Sequence, residues 1–328
     1  FNLGNGIRGG EVYALEMYGN SLYAGGMFDT LSGFNPGRGI QMWDGSSWQT
    51  LGGSPGDGVS GPPGFKVKAL KSFNGELYIG GSFDMAGGNS ASNIAKWDGT
   101  SWSAIGSGTN GEVNSIEVFN NELYIGGDFT EAGGVTVNGI AKLSGNTFSS
   151  IGTGTNGKVN AIESYMNKLF ITGAFTTAGG VSAQNIASWD GTSWSAVGLG
   201  LNFDGYSLEQ FAGDLYIGGF FSVAGTAFAN NIAKYNIPIG ITKNELVGVI
   251  SAGPVPANDH LYLEIVENIQ DLTIRIDDIT GKTMLIRAES NISAGTRLDL
   301  DVSGLASGRY NLLLFSGDRI SVSGIIVN

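Results

Sequence analysis

The motif Leu-aromatic-Ile-Gly/Thr-Gly-x-Phe begins at Leu77, Leu123, Leu169 and Leu215, spaced 46 residues apart at each step. A fifth copy, with Ala in place of Ile, begins at Leu22, 55 residues before Leu77; the nine extra residues fall in 54–65, SPGDGVSGPPGF. A period of this length restricts the chain to solenoids, arrays and propellers. One such unit is too short to bury its own apolar face and must stack on copies of itself.

Each unit carries four strand signals, typified by VNSIEVF at 113–119, LYIGG at 123–127, NIAKWD at 93–98 and SWSAIG at 101–106. Four strands in 46 residues is the size of one propeller blade. The first hairpin is predicted to turn at Gly19-Asn20, Asn74-Gly75, Asn120-Asn121, Met166-Asn167 and Ala212-Gly213, and the third-to-fourth turn to be equally short at Asp44-Gly45, Asp98-Gly99, Ser144-Gly145 and Asp190-Gly191. The last copy along the chain, that of Leu215, has three strands, through 231–235, and breaks at Pro238 and Gly240. The opening residues Phe1, Asn2, Leu3 and Gly4 align with its missing fourth strand and lead into the first strand of unit one. The expectation is an all-β, five-bladed propeller over 1–235 with four strands per blade, closed by three strands from one end and one from the other, so that no sheet edge is left open.

Composition changes along the chain. Of 55 glycines, 47 precede residue 241, and so do 31 of the 34 aromatic residues. A glycine-rich segment so full of aromatics is a packed fold and not a low-complexity tail. Paired glycines such as Gly80-Gly81 and Gly126-Gly127 are expected to let neighbouring sheets approach closely. Trp43, Trp97 and Trp189 in third strands, with Trp48, Trp102 and Trp194 in fourth strands, are expected to fill the gaps between units.

Charge and composition exclude several classes of chemistry. The net charge of −12 is spread over the chain, −8 on 1–240 and −4 on the rest, so a nucleic-acid partner is not expected. No apolar run approaches the roughly 20 residues of a spanning helix, so no transmembrane segment is expected. The absence of cysteine removes disulfides, thiolate metal sites and a Cys nucleophile. A single histidine, His260, leaves no His cluster for zinc or a triad.

The repeats supply an internal comparison. Glu16, Glu117, Glu163 and Glu209 share one first-strand position, with Lys71 there in unit two, and would ring a central channel. Paired carboxylates suit glycoside hydrolysis, but near-identity across units favours a structural role. Asp29, Asp84, Thr130, Thr176 and Ser222 open the loop to the third strand. They would suit calcium as oxygen donors, and suit side-chain-to-backbone turn bonding better. Tyr13, Lys68, Asn114, Asn160 and Tyr206 are variable first-strand positions expected to open, with Phe203 and Phe228, onto a rim that takes a polar, saccharide-type ligand by stacking and hydrogen bonds.

The repeat resembles the glycine-rich propeller repeats of secreted and surface proteins of Bacteroidetes-type bacteria, through GGSFDMAGG and NIAKWDGTSWSAIGSGTNG. Its double glycine and downstream Trp give it a looser kelch-like character. Residues 236–251 read as a linker. Over 252–328, alternating runs such as LYLEIV, LTIRI, TRLDLDV and YNLLLF predict an Ig-like antiparallel β-sandwich of about seven strands, with His260 at a solvated strand edge. This tail resembles the type A C-terminal sorting domain of type IX secretion substrates through Pro254, Pro256, Asp259, Leu261, Gly281, Lys282, Leu305, Gly308 and Tyr310, with Val255 where Asn is usual and no terminal basic residue. The resemblance implies export across the outer membrane, with the translocon and its outer-membrane shuttle as partners, and release of the tail afterwards. The expected protein is a secreted cell-surface binding or adhesion module that is not an enzyme and needs no cofactor, its ligand a glycan or a surface protein. A polysaccharide hydrolase or lyase using the channel carboxylates, and a structural part of a surface or gliding-motility assembly, are the alternatives.

Overall fold

The computed structural model describes residues 3, 6–7, 9–28, 37–52, 57–235, 250–253, 257–278, 283–316 and 319–328. The chain divides into two compact units, Phe1–Asn236 and Ile237–Asn328.

In the first, each repeat is an antiparallel meander. Unit one comprises Glu11–Tyr18, Ser21–Met27, Ile40–Trp43 and Trp48–Gln49. Unit two comprises Lys66–Phe73, Glu76–Ser82, Ile94–Trp97 and Trp102–Ala104. Unit three has Glu112–Phe119, Glu122–Asp128, Ile140–Ser144 and Thr147–Ser150, and unit four Lys158–Tyr165, Lys168–Ala174, Ile186–Trp189 and Trp194–Ala196. Among the described residues unit five has Gly205–Phe211, Asp214–Gly219 and Ile232–Tyr235. The first hairpins turn at the five predicted dipeptides. Even Met166 (φ 47°) and Ala212 (φ 51°) adopt the left-handed conformation these turns demand.

Two local features differ from expectation. In units one, two and four the third-to-fourth connection is a four-residue loop, because the Asp side chain closes it: Asp44 Oδ1 accepts from the N–H groups of Ser46 and Ser47, and Asp98 and Asp190 do the same one and three units on. These bonds, with hydroxyl donors beside them, hold all three carboxyls far below the usual range, at Asp190 against the opposing effect of desolvation. The second-to-third connection contains a further hairpin of two-residue strands, Met85–Ala86 with Asn89–Ser90 in unit two and its equivalents in units three to five. It turns on Gly87-Gly88, Gly133-Gly134 and Gly179-Gly180, all at positive φ. Gly87 and Gly133 lie directly against the rings of Trp102 and Phe148.

Neighbouring units interlock through one pair of positions. The first glycine of the second strand faces the valine of the next unit's first strand: Gly25 faces Val67, Gly80 faces Val113 and Gly126 faces Val159. A Cβ on Gly80 would come within 2.5 Å of Val113 Cγ1, so the glycine is a socket for the valine knob. Between units four and five the pair is reversed, Thr172 filling the space left by Gly205. The second glycine has another role: at Gly81 and Gly127 a Cβ would strike a carbonyl of the unit's own first strand. Tryptophan adds a polar tie. Trp97 and Trp102 pack at 5.4 Å between ring centroids, and Trp102 Nε1 donates across the seam to Leu51 O at 3.1 Å; Trp194 donates likewise to Ile151 O.

At the chain's opening, Gly6 N donates to Leu3 O at 3.0 Å, the turn that ends the fourth strands of units two to four, where Gly108, Gly154 and Gly200 donate to Ile105, Ile151 and Val197. Trp48 Nε1 reaches Leu3 O at 3.2 Å, as Trp102 reaches Leu51. Leu3 thus stands where a fourth strand ends. The expected pairing of this segment with 231–235 is not formed among the described residues: the fifth sheet has three strands, and Phe1, Asn2 and Gly4 lie outside the described residues.

Among its described residues the second unit is a sandwich of seven strands. Ile250–Gly253, His260–Ile265 and Arg297–Asp301 form one sheet, and Thr283–Ile292, Ile269–Asp278, Gly308–Ser316 and Arg319–Val327, in that order, the other. Alternate residues, among them Leu261, Leu263, Ile274, Ile276, Leu298, Leu300, Leu312 and Leu314, fill its core. His260 begins a central strand, not an edge, and is exposed with Nδ1 2.8 Å from Asp299 Oδ1.

Candidate functional site

The five variable first-strand positions share a feature that residue type does not reveal. Tyr13, Lys68, Asn114, Asn160 and Tyr206 are each the extra residue of a β-bulge, skipped in the pairing of first and second strands. A bulge re-aims its side chain. Here it turns the interior three toward the following unit: Lys68 Nζ donates to Asn114 Oδ1 at 3.0 Å, Asn114 Nδ2 to Val159 O at 2.9 Å and Asn160 Nδ2 to Gly205 O at 2.8 Å. Lys68 also pairs with Glu112. Tyr13, bonded to Glu11, and Tyr206 remain exposed.

The shared carboxylate position is not uniform. Glu16 Oε1 accepts from Ser72 N at 2.9 Å, tying unit one to unit two, and Lys71 Nζ lies 2.6 Å from Glu117 Oε2. Among the described residues no cation pairs with Glu163. Burial, then the charges of Glu117 and Glu209, push its carboxyl up to about 7 against the opposing pull of Lys71. The loop-opening residues Thr130, Thr176 and Ser222 are engaged by an asparagine of the strand connection: Asn110, Asn156 and Asn202 accept from two backbone N–H groups each. Asp29 lies outside the described residues.

Unit five departs from its siblings on the face that carries these loops. Phe203, Phe220 and Phe228 replace Gly157, Ala174 and Ser182 of unit four, and Phe228 is 91% exposed. Phe203 and Phe220 meet edge to face at 6.1 Å between centroids. Phe220 is absent from the sequence-predicted set, although aligning the repeats would have found it as the aromatic at a position that is Met27 in unit one and Ser82, Asp128 and Ala174 in units two to four. A cavity of about 460 Å³ lies on the same face between units three and four, lined by polar groups of Asp128, Thr130, Asn138, Thr155, Asn156 and Thr177.

In the sandwich, Leu261 is buried, Asp259 O accepts from Val302 N, and Tyr310 packs in the core with its hydroxyl donating to Ala306 O at 2.7 Å. Leu305 packs against that core, and Gly308 begins the strand that carries Tyr310. Pro254, Pro256, Gly281 and Lys282 lie outside the described residues.

Comparison with known proteins places both parts. Residues 54–213 match the model of the Rax2 C-terminal beta propeller domain. No curated protein matches the chain. Among solved structures it is similar to the computationally designed Ika8 protein, at 15% identity and TM-score 0.46 over 96% of this chain and 83% of that one. It is also similar to the exo-beta-1,3-galactanase of Phanerochaete chrysosporium, at 12% identity and TM-score 0.37 over 98% and 96%. No helix among the described residues is long and apolar enough to cross a membrane. Residues 252–328 match the secretion system C-terminal sorting domain, and the chain that carries it is a substrate for export across the outer membrane to the cell surface or extracellular space.

Proposed function

We propose that the exported protein is a non-enzymatic binding module. Its five units close into a propeller by the three-plus-one arrangement, and it takes a polar, saccharide-type ligand on the face where unit five gathers its aromatics. What supports this is one asymmetry: Phe203, Phe220 and Phe228 stand where unit four has Gly157, Ala174 and Ser182, and they face solvent. Apolar rings held in water have a packing cost without a packing reward, and they suit the faces of sugar rings. Asn156, Thr130 and Thr177 line the polar cavity between units three and four on that face.

A second reading has its own support. Glu163, at about 7, is poised to exchange a proton near neutrality, as a hydrolase acid would. Labelled full chain applied to an array of immobilised polysaccharides separates the two. Saturable binding without released products supports the module; product release abolished by Glu163→Gln supports the hydrolase.

A further inference from the structure

The cavity between units three and four lies where one side chain of the repeat is missing. Asn93, Asn185 and Asn231 precede the third strands of units two, four and five, each with a left-handed backbone (φ 64°, 61° and 70°), and unit three has Gly139 in their place at φ 75°. In units two and four the asparagine spans the seam to the next unit: Asn93 Nδ2 donates to Thr109 O at 2.8 Å and Asn185 Nδ2 to Leu201 O at 2.9 Å. Asn93 Oδ1 also accepts from Phe83 N at 3.3 Å. The corresponding groups at the seam of units three and four are Thr155 O and Phe129 N. Both residues line the cavity and both are buried, at 5% and 3% exposure. Among the described residues Thr155 O accepts no hydrogen bond and Phe129 N donates none. Unit one also has a glycine here, Gly39, but the buried Val59 fills its space. Among the described seams, that of units three and four therefore combines a vacated amide position with a buried carbonyl and a buried N–H left to face the cavity.

We propose that this cavity binds an acetamido sugar, whose amide N–H donates to Thr155 O and whose acetyl carbonyl accepts from Phe129 N, as the Asn93 amide does one unit earlier. The inference rests on the saccharide reading above and names a sugar class and a second place on the same face. Buried backbone groups without partners carry a desolvation cost that a ligand amide recovers. A trans secondary amide points its N–H and C=O in opposite directions, so it can span two groups as Asn93 spans Thr109 and Phe83. The rest of the lining decides for a sugar over the side chain of a peptide. Asp128 is exposed and is the one carboxylate at a position held by Met27, Ser82, Ala174 and Phe220 in the other units, and Thr130 and Thr177 bring hydroxyl groups. Such a set suits the several hydroxyls of a pyranose. The volume of about 460 Å³ falls in the range of small-molecule sites.

The full-length chain, isotopically labelled at phenylalanine nitrogen, is titrated with N-acetylglucosamine, with glucose and acetamide as controls, and followed by calorimetry and by the Phe129 amide resonance. The expected result is binding of N-acetylglucosamine about tenfold or more tighter than of glucose, with a shift of the Phe129 resonance that glucose does not cause. Gly139→Asn rebuilds the side chain of Asn93 and Asn185. Thr109 bonds Gly111 O beside Asn93 just as Thr155 bonds Gly157 O, so the repeat already accommodates the pair. The variant is expected to keep a melting temperature within about 2 °C of the parent and to lose the preference for the acetamido sugar. Equal affinity for the two sugars, no binding of N-acetylglucosamine, or an unmoved Phe129 resonance in the parent chain overturns the proposal. Acetamide binding as tightly as N-acetylglucosamine also overturns it, and points to a bare carboxamide such as a peptide asparagine. Immobilised polysaccharides test the saccharide reading separately: binding there without discrimination between the two free sugars refutes this site alone, and no binding of any saccharide in either experiment refutes both.

Discussion

Gly126 and Val159 fit together at a distance that leaves no room for a side chain on the glycine: a Cβ there would lie 2.7 Å from Val159 Cγ1 and 2.9 Å from Ile162 Cδ1. Gly126→Ala is therefore expected to destabilise the protein by about 1–3 kcal/mol through overpacking, measured by denaturant melting. The reversed pair Thr172–Gly205 shows that the site stores a summed volume and not two residue types. Gly126→Thr combined with Val159→Gly should accordingly be more stable than the sum of the single changes predicts, by about 1 kcal/mol or more. Strict additivity would mean that the two positions are not coupled.

Glu163 is held near 7 in the folded chain, above the value of 4.5 for an unperturbed glutamate. The folded state then binds the proton more tightly than the unfolded state. The stability this contributes is full below about pH 4.5 and is lost as pH rises through about 7. Partial solvent access limits the effect to on the order of 2 kcal/mol. Thermal melts of the parent and of Glu163→Gln between pH 4.5 and 8 should diverge, the variant losing less stability as pH rises. Parallel curves would show that Glu163 titrates normally.

Ala212 occupies the first position of a two-residue turn at φ 51°, a conformation that asparagine accepts and alanine resists. Ala212→Asn is expected to raise stability by about 1 kcal/mol. A melting temperature unchanged or lowered by the substitution would contradict the turn geometry.

Export rests on residues 252–328. Removing them from the chain expressed in a host with the type IX machinery should leave it inside the outer membrane, and appending them to a periplasmic carrier should release it. Fractionation and immunoblotting read both, and a truncated chain still found outside the cell would contradict the assignment.

The repeat, its strand count and the sandwich strands were legible because period, alternation and turn dipeptides are local properties. The bulges at Lys68, Asn114 and Asn160 were not legible. An extra residue in one strand is defined only by its partner strand, so amides that look free for a ligand are bonded to Val159 and Gly205. The small hairpins at Gly87, Gly133 and Gly179 were hidden for a related reason: two-residue strands carry no alternation to read. Their repeated Ala-Gly-Gly was the available signal, because paired glycines between two runs mark a left-handed turn. Phe203 and Phe228 were visible as aromatics among variable positions. Phe220, their neighbour, emerges only when unit five is compared position by position with units two to four.

The account stands most directly on the aromatic face of unit five, and binding of the full-length chain to immobilised polysaccharides, with and without Phe203→Ser and Phe228→Ser, measures it. The account predicts saturable binding that the double variant weakens at least tenfold while its melting temperature stays within about 2 °C of the parent, since both side chains are exposed. Equal binding by parent and double variant would contradict it.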